Sequence, residues 1–179
     1  MSFSGSSGSM RLDSSETPEV TGRERISRKL GRYRLMFQLA KGGMATVYLA
    51  RAEGAQGFEK LVALKRIHEH LSTEEEFVEM FLDEARIASS ITHPNVCAIF
   101  DFGEADGEYF IAMEYLVGEP LGRVLKAAKK RRDIFASPGY PALIARLMAD
   151  VCEGLHAAHE LRSPAGVPLN VIHRDVTPE

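Results

Sequence analysis

Residues 40–47, Ala40-Lys41-Gly42-Gly43-Met44-Ala45-Thr46-Val47, decide how this chain reads. They join two stretches with the alternation of β-strands: Tyr33-Arg34-Leu35-Met36-Phe37-Gln38-Leu39 before and Thr46-Val47-Tyr48-Leu49-Ala50-Arg51 after. The loop between them is placed at Ala40 to Ala45. Small residues there let backbone N–H groups come close to a polyphosphate. The same glycines would also serve simply to make the turn.

Downstream, Leu61-Val62-Ala63-Leu64-Lys65-Arg66-Ile67 reads as a third strand. A helix follows. Ser72-Thr73-Glu74-Glu75 fits a capping box with Ser72 as N-cap, and Phe77, Met80, Phe81, Glu84, Ile87, Ala88 and Ile91 recur at helical spacing. Pro94 ends it, because the residue before proline avoids helical dihedrals. Two further strands are expected at Val96–Phe102 and Tyr109–Glu114, joined by an Asp106-Gly107 hairpin turn. After Gly118 the pattern turns helical. Leu121 to about Arg131 forms one helix. A longer one has Pro141 in its first turn and Ile144, Met148, Val151, Leu155 and Ala158 on one face. The expected class is α+β: a five-stranded antiparallel sheet with one packed helix, then helices. Residues 1–32, rich in Ser, Gly, Glu and Arg, read as a disordered tail.

Composition bounds the rest. The chain has 179 residues, with 45% hydrophobic, 26% charged and a net charge of −3, which gives no bulk-charge reason to expect nucleic acid. No apolar run approaches the ~18 residues of a membrane span, and no secretory signal is visible, so a cytoplasmic location is expected, with tethering by a later segment left open. Cys97 and Cys152 read as two reduced, buried thiols.

Three side chains carry candidate chemistry. Lys65 ends an apolar strand, where its ammonium can reach a phosphate or stand as an ordinary surface lysine. Glu84 falls on the apolar helix face, where an unpaired carboxylate is costly. It pairs with Lys65 or, at the helix edge, reaches solvent. Asp175, in His173-Arg174-Asp175, can accept or orient a hydroxyl proton.

With these elements in order, residues 33–179 resemble a protein kinase domain of the bacterial serine/threonine type. Gly42 to Val47 resembles the nucleotide-covering loop, Val62-Ala63-Leu64-Lys65 the strand of the phosphate-binding lysine, and Phe81-Leu82-Asp83-Glu84-Ala85 the helix of its ion-pairing glutamate. Ile111 to Gly118 resembles the hinge, and His173-Arg174-Asp175-Val176 the catalytic loop. The resemblance implies a sheet-rich lobe at 33–117 and the start of a second lobe at 118–179. It implies ATP contacts at Leu39, Gly42, Gly43, Met44, Ala45, Val47, Ala63, Lys65, Met113, Glu114 and Leu116, with Lys65, Glu84 and Asp175 catalytic. Met113 would be the gatekeeper.

The chain departs from the pattern in two places. Ala40 and Ala45 stand at the first and third glycine positions, and Thr177 stands where serine/threonine kinases carry lysine. Asp101-Phe102-Gly103 precedes the hinge, so it reads as a strand end and not as the magnesium-binding triplet. That triplet would lie beyond Glu179, so no metal ligand is assigned in this chain. The implied activity is ATP-dependent phosphorylation of a protein serine or threonine, with Mg2+ in the complete domain. The polypeptide itself is expected to be inactive, to bind nucleotide weakly at most, and to associate. A truncated, non-catalytic kinase-like binding module and a small-molecule kinase are the alternatives. His156, His159 and Glu160, at helical spacing, are read as helix surface and not as metal ligands.

Overall fold

The computed structural model describes residues 25–178. Six strands form one antiparallel sheet: β1 (Arg25–Leu30), β2 (Tyr33–Lys41), β3 (Ala45–Glu53), β4 (Glu59–Ile67), β5 (Ile99–Ala105) and β6 (Glu108–Glu114), in spatial order β1-β2-β3-β4-β6-β5. Four helices accompany them: α1 (Glu75–Ser89), α2 (Leu121–Lys129), α3 (Arg132–Phe135) and α4 (Gly139–His159). The fold is the expected α+β arrangement with one strand more. That strand, β1, corrects the tail boundary at residue 32. It pairs with β2, and Leu30 is fully buried. The remainder of the expected tail, residues 1–24, lies outside the described residues.

The pleat gives the sheet two apolar faces. One buries Leu30, Tyr33, Leu35, Tyr48, Val62, Leu64 and Phe110 together. The other packs Ala45, Ile67 and Ile111 against Val78, Phe81 and Ala85 of α1. The buried stripe of α1 is therefore rotated from the expected one: Met80 and Ile87 are exposed.

The capping box does not form either. Ser72 donates its hydroxyl to the Glu69 carbonyl at 2.6 Å, closing a short 3-10 turn at Glu69–Leu71. α1 begins after Glu74 with no side-chain cap, and Glu75 and Glu76 supply first-turn negative charge for the helix dipole.

The sheet rolls until its ends meet. The Gly31 N–H donates to Asp106 Oδ2 at 3.0 Å, and Arg28 and Arg66 both pair with Glu108. Gly31 has φ +51°, and a Cβ there would stand 3.1 Å from Ala105 Cβ, so the turn needs glycine twice over. Asp106 and Gly107, with φ of 52° and 77°, make the expected hairpin turn.

α4 docks on the turn before β5. Asn95 Nδ2 donates to the Asp150 carbonyl at 2.9 Å, and buried Gly154 faces Asn95 and Val96. Pro141 sits in the first turn, where its missing N–H has no partner to lose. Leu143, Met148 and Val151 are exposed along the helix. Among the described residues no helix is long and apolar enough to cross a membrane.

Candidate functional site

Strand register assembles the site. β3 and β4 pair Val47 with Lys65 and Leu49 with Ala63, and β4 and β6 pair Lys65 with Ile111 and Ala63 with Met113. Val47, Ala63, Lys65 and Met113 therefore share the sheet face that α1 also covers.

From that face Lys65 Nζ reaches both oxygens of Glu84, at 2.7 and 3.0 Å, and stands 5.5 Å from the centroid of the Phe81 ring. Phe81 and Glu84 lie three apart on α1, which puts ring and carboxylate side by side under the ammonium. The Lys65 side chain is 27% exposed and that of Glu84 60%. Glu84 is thus paired but not buried, which corrects its expected place on the apolar face. An ion pair this open adds at most about 1 kcal/mol to stability, so holding the ammonium in one place is its main effect.

The loop above is shorter than expected, because β2 runs to Lys41 and β3 starts at Ala45. The Gly42 N–H donates to the Ala45 carbonyl at 2.9 Å, and the His68 N–H holds the Met44 carbonyl at 2.9 Å. This second anchor, from the far end of β4, left no signal in the sequence. A Cβ on Gly43 would meet nothing within 4 Å, and one on Gly42 only an ordinary contact at 3.6 Å. Neither glycine is required by the turn. Leu39, half-buried, sits at the β-bulge between Gln38 and Ala40.

At the other end of the face, β6 stops at Glu114. Its N–H donates to the Ala98 carbonyl at 2.8 Å, and its carbonyl accepts the Cys97 thiol at 3.5 Å. Burial raises the Cys97 thiol pKa, and the Glu114 charge adds to the effect. Leu116, two residues on, is exposed. Both cysteines are free, but Cys152 is exposed, contrary to the expectation of two buried thiols, because it lies on α4 away from the docked Gly154 side.

Asp175 lies in the irregular segment after α4 and is exposed. Arg174 takes a left-handed φ of 64°, and the Asp175 N–H points to His173 Nδ1 at 3.3 Å. The Pro178 carbonyl accepts the Gly122 N–H, tying this segment to the start of α2. Asp101, the acid of the misplaced Asp-Phe-Gly triplet, is engaged by Arg32 and Tyr33 within the rolled sheet. Among the described residues no group of three or more His, Cys, Asp or Glu side chains is placed to hold a metal ion.

A rolled antiparallel sheet, one helix delivering a carboxylate to a strand lysine, and a glycine hairpin between β2 and β3 make up the α+β lobe. Residues 33–179 match the protein kinase domain, and the chain belongs to that family. It is 46% identical over 148 residues to the tyrosine-protein kinase MasK of Myxococcus xanthus, 36% over 152 residues to the serine/threonine-protein kinase PksC of Streptomyces coelicolor, and 32% over 148 residues to the serine/threonine-protein kinase PrkC of Bacillus subtilis. Each match covers 83% of this chain but only 22%, 25% and 20% of the relative. The crystal structure of the Mycobacterium tuberculosis PknI kinase domain superposes with a TM-score of 0.61 at 26% identity, covering 85% of this chain and 54% of that one.

Proposed function

We propose that the chain carries the nucleotide side and the opening of the catalytic loop of an ATP-dependent protein kinase acting on serine or threonine hydroxyls in the cytoplasm. Residues 33–117 form its first lobe and residues 118–179 begin its second. The observation that carries this reading is the bidentate contact of Lys65 with Glu84. It holds a cation, with its remaining donor capacity, on the face beneath a glycine hairpin.

The residues present fit ATP. Lys65 would take a phosphate oxygen. The backbone of Gly42, Gly43, Met44 and Ala45 would cover the phosphates, and the open space at Gly43, with only an ordinary contact at Gly42, supports this, since the fold itself requires neither glycine. Leu39, Val47, Ala63 and Met113 would flank the adenine, and the Glu114 carbonyl and Leu116 N–H would read its edge. Asp175 would orient the acceptor hydroxyl. Bound ATP supplies the phosphoryl group.

Magnesium would neutralise phosphate charge in the complete domain, and no residue of this chain is assigned to it. A fluorescent ATP analogue should bind the chain weakly, and Lys65→Met should abolish the binding while moving the melting temperature little. Wild-type nucleotide affinity in Lys65→Met overturns the reading, and magnesium-dependent transfer from labelled ATP by this polypeptide overturns the expected inactivity.

Tyrosine is the second acceptor to consider. Thr177 replaces the lysine expected beside the acceptor in serine/threonine kinases, and MasK bears the name of a tyrosine kinase. Phosphoamino-acid analysis of a longer form of the protein, incubated with labelled ATP, separates the two.

A further inference from the structure

The opposite face of the glycine hairpin carries a second constellation. Register pairs Lys41 with Thr46 and Thr46 with Arg66, so the three stand in a row across β2, β3 and β4, on the pleat facing away from Val47 and Lys65. With Tyr48, His68 and His70 they line an open recess of about 270 Å³. Among the described residues lining it there is no carboxylate, although acidic residues outnumber basic ones in the chain, 25 to 22.

Every side chain lining this recess can donate: an ammonium, a guanidinium, two hydroxyls, two imidazoles and the carboxamide of Gln38. Some are already engaged. Arg66 gives Nη1 to Glu108 at 2.7 Å and faces the Tyr48 hydroxyl at 3.4 Å, while Thr46 Oγ1 lies 3.1 Å from His68 Nε2. Glu108 is shared with Arg28, so it only partly offsets the charge of Arg66. Arg66 Nε is buried and has no partner among the described residues, and a buried donor without an acceptor is costly.

We propose that this recess binds a phosphate-class dianion, either free phosphate or the phosphorylated side chain of a protein. Such an anion accepts several charge-assisted hydrogen bonds at once, which is what clustered Lys, Arg, His and hydroxyl donors provide. The recess also adjoins the loop at 42–44. Lys41 directly precedes Gly42, and the His68 N–H holds the Met44 carbonyl. An anion spanning Lys41 on β2 and His68 after β4 would stiffen the hairpin from outside. Any effect on nucleotide rests on the proposed function, but the binding itself does not.

Amide NMR of the 179-residue chain, titrated with inorganic phosphate at constant ionic strength balanced with chloride, tests the proposal without nucleotide. Saturable shifts are expected at Lys41, Thr46, His68 and Gly43. The Lys41→Ala/His70→Ala variant, altered at two exposed positions, should bind roughly tenfold more weakly. A phosphoserine peptide that saturates the same shifts at lower concentration than phosphate assigns the site to a phosphorylated side chain. The reverse order assigns it to the free ion. Shifts that stay linear to roughly 50 mM and match those from chloride, or undiminished binding by the double variant, overturn it.

Discussion

Tyr33 donates its hydroxyl to Asp101 Oδ2 at 2.7 Å, although β2 and β5 are separated by three intervening strands. Arg32 completes the triangle, reaching Asp101 Oδ2 at 2.8 Å and the Tyr33 oxygen at 3.0 Å. The Tyr33 ring packs on Phe110 at 5.3 Å. With the Gly31–Asp106 and Arg28–Glu108 contacts, it joins the two ends of the rolled sheet.

Burial, then the bond to Asp101, pushes the Tyr33 phenol up to about 12 from its ordinary 10.0, against the opposing influence of Arg32. A raised pKa means that the folded state prefers the protonated phenol. Its contribution is therefore complete below about pH 10 and is lost as pH rises through about 12. Tyr33→Phe should cost about 1.5–3 kcal/mol at neutral pH, the range for a hydrogen bond to a charged acceptor. The gap between the two proteins should narrow as urea melts are taken from pH 9 to pH 11.5. A constant gap removes the phenol from the pH dependence.

Much of this lobe could be read from sequence. The strand order from Tyr33 onward follows period-2 alternation, the Asp106-Gly107 turn follows its residue types, and Lys65 meets Glu84 as expected, although the carboxylate lies on an exposed side of α1 and not on its packed one. The misplaced Asp-Phe-Gly triplet could also be set aside from its position alone. β1 could not be read. Its stretch, Arg-Ile-Ser-Arg-Lys-Leu, is half basic, its anchor is the single buried Leu30, and Arg28 and Gly31 bond to partners 80 and 75 residues away. The helix start departs from the capping pattern because Ser72 serves a nearer acceptor, the Glu69 carbonyl, and closes a turn that the pattern does not reveal.

Because β1 is a strand and not tail, beginning the chain at Arg32 should destabilise it. Exposing the site of Leu30 removes about 1.5–3 kcal/mol of burial. The exposed pairs of Lys29 with Glu53 and Arg28 with Glu108 add less than about 1 kcal/mol each. Denaturant melts of residues 25–179 and 32–179 make the comparison. Equal midpoints would mean that β1 contributes nothing to the fold.

Two glycines should respond in opposite ways. A Cβ on Gly154 would stand 3.0 Å from the Asn95 carbonyl oxygen and 3.3 Å from Val96 Cγ2. Backbone cannot yield cheaply there, so Gly154→Val should lose about 1–3 kcal/mol by overpacking and loosen α4 from the turn at 93–96. Gly43→Val meets open space and should leave the melting temperature within a few degrees while weakening the ATP analogue. Loss of stability in Gly43→Val would mean that the glycine serves the fold and not the ligand.

The two thiols should differ in reactivity, because the attacking species is the thiolate. Cys97 is half-buried with its pKa raised, first by burial and then by Glu114, so at pH 8 less of it is ionised than of an ordinary thiol. Its sulfur also sits 3.5 Å from the Glu114 carbonyl, which strand pairing of β6 holds in place. Cys152 stands exposed on α4. Iodoacetamide at pH 8, followed by peptide mass spectrometry, should label Cys152 well before Cys97. Adding urea to the unfolding midpoint should remove most of the difference, since it arises from packing. If Cys97 reacts first in the folded chain, the β6 end is open to solvent and the contact of its thiol with Glu114 does not persist in solution.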